Sequence, residues 1–276
     1  MSTARFMRHA GWSVLGAVLL LPGVVAAQDT EAAALAARMA ALRQTSGFRL
    51  RGSLRVQTAG SAKTATRQVL IKGRQDGDTL QVLYQCLWPL DLKGQTLRID
   101  RHADQSISGY SFEPPDRVAP LAAADLTQAI LGSDLTVEDV CEDFVQWPVH
   151  ALEGTTNLLA HPCRRLEFRP PPAAMTHYSV IQAWIASDAA LPLLVEKLGP
   201  DGAVLQRTRV TKLTKTGTNT WAAVSAVTET PARHTETTFV ATGGARDLKL
   251  PSEDFTLEGI KAALRAADAE DTPAPP

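Results

Sequence analysis

The chain has 276 residues, with 28 lysines and arginines against 29 aspartates and glutamates, for a formal net charge of -1. That balance excludes the basic excess a nucleic-acid partner demands. A hydrophobic content of 45% is ordinary for a globular core, and roughly 230 folded residues suit one large β domain.

Arg5, Arg8 and His9 form a basic start, followed by an uncharged apolar run from Ala10 to Val25. Pro22-Gly23 breaks the run just before the small residues Val25-Ala26-Ala27. This is the order of a cleavable secretory signal over residues 1–27, with a mature start at Gln28 and a periplasmic destination. The run approaches the length of a membrane span, so an uncleaved anchor is the alternative. Removing the signal takes away two arginines and no acids, moving the formal charge from -1 to -3.

Asp29 or Thr30 is placed to cap a helix running to about Arg43, with Leu35, Met39 and Leu42 on one face. Beyond Ser46-Gly47 the period becomes two. Phe48, Leu50, Leu54 and Val56 point one way, and Arg49, Arg51, Ser53 and Arg55 the other, as in a half-buried strand. Further strands are expected near 66–73, 79–87, 95–101, 105–112, 163–169, 177–186, 191–198, 203–214, 219–229 and 234–242, about eleven in all. Turns fall at Asp76-Gly77-Asp78, Pro200-Asp201-Gly202, Gly217-Thr218-Asn219 and Thr230-Pro231. Short connections make neighbours antiparallel, and no alternation with long helices suggests a doubly wound fold.

Between 113 and 162 the pattern differs. After Pro114-Pro115 and Pro120, Asp125 to Phe144 reads as two helices broken at Gly132-Ser133. Leu126, Ile130 and Leu131 line the first, and Leu135, Val137, Val140 and Phe144 the second, with Ser133 or Asp134 as cap. Such an insert must pack across the open face of the sheet. From Ala266 to Pro276 the chain is Ala, Pro and acid, a composition expected to form a disordered tail. The expected organisation is therefore a signal over 1–27, one domain over 28–265 and a tail over 266–276.

Several segments carry a family likeness. Leu131-Gly132-Ser133-Asp134-Leu135-Thr136-Val137-Glu138-Asp139-Val140 resembles the "MGSDFSYEDM" signature of the outer-membrane lipoprotein-sorting family, which has a LolA-like fold. His161-Pro162-Cys163 through Phe168, Ala183-Trp184-Ile185, Leu191-Pro192-Leu193, Asp201 to Leu205, Trp221, and Leu250-Pro251 through Thr256 follow in the family's order, so that the likeness spans about 33 to 260. Leu135 and Val137 stand where the family has bulky aromatics, and Ala186 where an Asp or Lys is usual. The resemblance implies a half-open antiparallel β barrel with a helical lid over an apolar concave face. It also implies carriage of acyl chains, as lipids or lipoproteins, through the periplasm, with an inner-membrane exporter and an outer-membrane acceptor as partners. The same fold could serve as a periplasmic lipid sensor.

On that basis the floor of a ligand site is expected from Leu54, Val56, Ile71, Val82, Leu97 and Ile99, with Trp184, and its lid from Leu126, Ile130, Leu131, Leu135 and Val137. No cofactor and no metal is expected, since the cysteines are far apart and no CxxC occurs. Cys86 reads as a buried strand residue, and Cys141 and Cys163 could pair. Glu138, Asp139, Glu142 and Asp143 lack the spacing and central Gly of a calcium loop and read as a solvated helix face. No GxSxG or HExxH motif supports catalysis, and Gly243-Gly244 reads as a turn. A hydrolase would need a triad assembled without local motifs.

Overall fold

The computed structural model describes residues 22–43, 45–104, 106–141, 144–172, 174–217 and 220–270. The segment expected as a signal lies outside these up to residue 21. The expected cleavage point after Ala27 falls within helix α1 (Pro22–Arg43), which starts at Pro22 rather than at a cap on Asp29 or Thr30. No helix among the described residues is long and apolar enough to cross a membrane.

Thirteen strands follow: β1 Gly47–Thr58, β2 Thr64–Asp76, β3 Thr79–Trp88, β4 Thr96–Arg101, β5 Ile107–Glu113, β6 Arg117–Pro120, β7 Val149–Leu158, β8 His161–Phe168, β9 Val180–Ala186, β10 Pro192–Leu198, β11 Val204–Gly217, β12 Thr220–Thr230 and β13 Thr235–Arg246. They form one antiparallel sheet in the order β6-β5-β4-β3-β2-β1-β13-β12-β11-β10-β9-β8-β7. The count of eleven is therefore corrected to thirteen among the described residues. The two additions are the edges. β6 is four exposed residues ending in Pro120, and proline is confined to edges because it cannot donate to a ladder. β7 loses its alternation at an irregularity between Ala151 and Thr155. The expected turn at 218–219 lies outside the described residues.

The register assigns side chains to faces, because directly paired residues share one. Leu50, Ile71, Tyr84 and Leu97 form one row across β1–β4. Phe48, Gly73, Val82 and Ile99 form the next. Val56, Thr237, Thr228, Thr208, Val195, Ala183 and Leu166 continue that inner face to β8.

Helix α1 covers one side of it. Ala32, Leu35, Ala36 and Met39 pack with Leu166, Phe168, Ile181, Ala183, Ile185 and Val195. The outer face of β3–β5 is covered by a helix that the sequence pattern did not suggest, α3 (Leu257–Glu270). Its Ile260, with Phe255 before it, packs on Leu83 and Phe112. α3 carries the backbone through 266–270, the start of the expected tail, and residues 271–276 lie outside the described part.

The insert between β6 and β7 has to travel, since its two ends belong to opposite edges of an open sheet. It enters at Leu121, whose N–H donates to Gly109 O at 3.0 Å. A Cβ on Gly109 would lie 2.9 Å from Leu121 Cδ1, so the bare backbone there makes the passage possible. It then crosses the inner face and arrives with Phe144 stacked edge-on against Phe168 of β8, ring centroids 5.1 Å apart.

The two helices expected in the insert are not found. Residues 123–125, 130–132 and 144–146 are single 3-10 turns, and the only α-helix of the insert among the described residues is α2, Val137–Cys141. Residues 126–138 instead fold back on themselves, with Ile130 N–H to Leu135 O at 2.8 Å and Val137 N–H to Gln128 O at 3.1 Å. Leu131 and Gly132 turn the chain at φ 51° and 67°. Ser133 Oγ donates to Ile130 O at 2.7 Å, and a serine that bonds nearby backbone competes with helix. The cap of α2 is Thr136, not Ser133 or Asp134. Thr136 N–H donates to Asp139 Oδ2 at 2.7 Å and Asp139 N–H to Thr136 Oγ1 at 3.2 Å, a reciprocal capping box.

Candidate functional site

Where the insert crosses β3–β5, Leu126, Ile130 and Val137 are buried against Ile99, with Tyr84, Leu97, Ile107, Leu121, Leu131 and Val140 packed around them. A cavity of about 130 Å³ remains between insert and sheet. It is lined by Tyr84, Leu97, Ile130, Leu131 and Val137 together with the polar Gln95, Ser111, Glu113 and Gln128. A dry cavity near 150 Å³ accepts one benzene, so this space fits a few carbons, not a whole acyl chain.

Toward the middle of the sheet the insert is fastened by polar groups. Asp134 is 0% exposed. Its carboxylate accepts from the hydroxyls of Thr235 and Thr237, the latter at 2.7 Å. Its backbone N–H donates to Thr237 Oγ1 at 2.8 Å, and its carbonyl accepts from Gln206 Nε2 at 2.9 Å.

Asp139 accepts from Lys197 Nζ at 2.7 Å, Tyr178 OH at 2.8 Å and Gln206 Nε2 at 2.6 Å. Burial pushes its carboxyl upward, but the Lys197 ammonium and the hydrogen bonds from Lys197, Thr136 and Gln206 outweigh that and hold it below the usual carboxylate range. Glu138, 2% exposed, accepts from the Thr176 hydroxyl, the His177 N–H and the His177 ring.

The solvated acidic face expected for Glu138 and Asp139 is thus overturned: both are buried and bonded. Glu142 and Asp143 lie outside the described residues. One signal for the partners exists in the sequence. Leu193, Val195 and Lys197 alternate, so Lys197 occupies an inward position and needs a counter-charge.

Of the residues expected in the ligand site, the structure brings together Leu97, Ile99, Leu126, Ile130, Leu131 and Val137. Val82 is paired with Ile99 and Ile71 with Tyr84, on the same face. Leu54 and Val56 share that face on β1 but stand opposite Phe239 and Thr237 of β13, nearer the polar fastening than the cavity. Leu135 is half-buried at the fold-back. Trp184 is corrected. It neighbours Ala183, which faces inward, so it points outward, where Arg165 lies over its ring at 5.0 Å. Tyr84, Leu121 and Gln128 belong to the site but were not anticipated.

Cys163 is a free, buried thiol whose Sγ donates to His161 O at 3.4 Å, so its possible pairing with Cys141 is not formed. The Cys141 side chain is outside the described residues. Cys86 is likewise free and buried, and burial pushes its thiol up.

An open antiparallel sheet whose inner face is crossed by a connecting insert and a terminal helix defines a LolA-like fold. Solved structures share it. A DUF1329 family protein from Desulfovibrio piger matches at TM-score 0.75 and 19% identity, over 86% of this chain and 98% of its own. A domain provisionally ascribed to outer-membrane lipoprotein sorting, from Vibrio parahaemolyticus, matches at 0.74 and 16%, over 84% and 99%. A LolA superfamily protein from Nitrosomonas europaea matches at 0.62 and 15%, over 82% and 97%. No curated protein matches the sequence significantly. The chain belongs to the family whose model spans residues 80–262, described only as "Uncharacterized protein".

Proposed function

We propose that this protein binds acyl chains of lipids or lipoproteins between the insert and strands β3–β5, in the periplasm, and carries them toward the outer membrane. The observation that carries the reading is the cavity beneath Leu131 and Ile130, with Leu97, Tyr84 and Val137 among its lining, on a face that the insert crosses. The relatives with lipoprotein-sorting and LolA descriptions support it. An inner-membrane donor and an outer-membrane acceptor belong to the same reading.

The energetics fit a carrier. Each buried methylene contributes about 0.8 kcal/mol, so a chain of ~14 would contribute on the order of 10 kcal/mol before ordering costs. The cavity is too small for such a chain, so loading requires the insert to lift from Ile99 and Leu97. The contacts of Leu126, Ile130 and Val137 with Ile99 are carbon on carbon, so this part of the fold-back can lift while Asp134 and Asp139 stay bonded to the middle of the sheet.

Ile130→Glu tests this. A carboxylate at that position must be desolvated for a chain to enter. Binding of a fluorescent fatty acyl probe should fall at least about tenfold, taking ~1.4 kcal/mol per factor of ten, while circular dichroism shows the sheet intact. Equal probe binding by the folded variant and the unaltered protein would show that Ile130 is ordinary packing.

A further inference from the structure

Arg67 is the one inner-face side chain of β2 whose polar atoms are left over. It pairs across with Leu54, which faces inward, and stands just before the slip in register between Gln68 and Val69. Its Nε and Nη1 are buried and meet no hydrogen-bond acceptor. Overhead passes Gly132, where a Cβ would lie 3.4 Å from Arg67 Nη2. The guanidinium is close enough for its charge to act on Cys86.

A guanidinium carries five N–H donors in a flat fork and stays charged. Arg67 as a whole is half-buried, but Nε and Nη1 are out of water without partners, and buried polar atoms left unsatisfied call for an explanation. The buried acids of the insert do not supply one. Asp134 is taken by Thr235 and Thr237, Asp139 by Lys197, Tyr178 and Gln206, and Glu138 by Thr176 and His177.

The position relative to the cavity is informative. Leu131, which lines the cavity, is the residue before Gly132. Gln95 also lines it, and its carbonyl accepts from the N–H of Cys86 at 2.8 Å. Arg67 does not line the cavity itself; it stands beneath Gly132, one residue beyond Leu131 and toward the middle of the sheet, and fork-shaped recognition of a carboxylate or phosphate is what its donors suit.

We propose that Arg67 receives the anionic head group, a carboxylate or a phosphate, of an amphiphile whose chain enters beside Leu131 as the insert lifts from Leu97 and Ile99. This rests on the acyl-binding reading and adds the polar end of the ligand to it. Head-group recognition gives the site a direction: the chain lies toward β4 and β5, and the charged end toward β1 and β2.

The test compares three probes of one chain length, hexadecanoic acid, its methyl ester and hexadecyl phosphate, by titration calorimetry at pH 8. The unaltered protein should bind the acid or the phosphate at least about tenfold more tightly than the ester, and the stronger of the two identifies the head group. Arg67→Gln should bind all three at the ester's affinity, and Arg67→Lys should keep part of the preference. Arg51→Gln, on the exposed outer side, should keep all of it.

Equal affinities for acid, phosphate and ester in the unaltered protein would overturn the inference while leaving acyl binding standing, and that comparison needs no variant to fold. An unchanged preference in folded Arg67→Gln would also overturn it. If none of the three binds, the acyl-binding reading falls and this inference with it.

Discussion

The inner face is closed in two different ways on its two sides. Over β8–β10 a regular helix, α1, sets Leu35 and Met39 into a dense cluster around Phe168, Ile181 and Ile185. Over β3–β5 the cover is an irregular fold-back whose Leu126, Ile130 and Val137 rest on Ile99 with a cavity beside them. Between the two, the insert is held by buried acids on Lys197, Gln206 and the threonines of β13. A dense half and a fastened middle give the sheet its stability, and the loosely filled half is the part with freedom to admit something. The charged fastening sits where movement is not wanted, because separating a buried pair costs more than separating carbon from carbon.

The largest effect is expected at the fastening. Lys197→Met leaves Asp139 buried without its counter-ion, and breaking one side of a buried pair typically costs about 3–5 kcal/mol. Urea unfolding should show a loss of that size. A loss under about 1 kcal/mol, the level of surface pairs, would mean that the middle is held by packing alone.

Next come the two halves themselves. Met39→Ala, in the dense half, should cost within the ~2–5 kcal/mol range for large-to-small changes. Ile130→Ala should fall at or below the lower end, ~2 kcal/mol, because its surroundings already include space and can relax. Thermal unfolding of both variants ranks them, and the reverse order would erase the distinction between the halves.

A smaller effect concerns acid. The folded-state carboxyl of Asp139 lies below its ordinary value. Its contribution is therefore fully present above the unfolded value of about 3.9 and is lost as pH falls from there through the depressed folded value. Denaturation monitored between pH 6 and pH 2 should show this acid limb. Asp139→Asn, less stable at neutral pH, should show a shallower one.

The smallest effect is expected on the wet side of the sheet. Arg51 is exposed on the outer face of β1, and Arg51→Glu should change stability by no more than about 0.5 kcal/mol. Binding of an acyl probe should not change.

Much of this is legible in the amino-acid sequence. Alternation in segments such as Phe48 to Val56 located eleven of the strands, and helical spacing located the buried face of α1. The edge strands escaped notice because edges carry little pattern: Arg117-Val118-Ala119-Pro120 is exposed throughout, and β7 is irregular at its centre. The apolar spacing of Leu126 and Ile130 pointed to packing on the sheet, but not to the shape doing the packing. Ser133 and the left-handed Leu131-Gly132 pair turn that chain back where periodicity suggested helix. Trp184, expected on the floor of the site, points outward because it neighbours the inward Ala183.

By itself, then, the sequence determined the period-two strands, the antiparallel order, the apolar insert and the likeness to a LolA-like fold, all of which depend on residues close together in the chain. Only the tertiary structure decided which acids are buried and what Arg67 lacks. Asp134 meets Thr237, Asp139 meets Lys197, and Arg67 meets the underside of Gly132. Those pairings exist because the chain leaves the sheet at one edge and rejoins it at the other, which brings the insert over strands that are distant in sequence. Burial and pairing are properties of that crossing, and the local composition of Glu138 and Asp139, which reads as solvated, contains no trace of it.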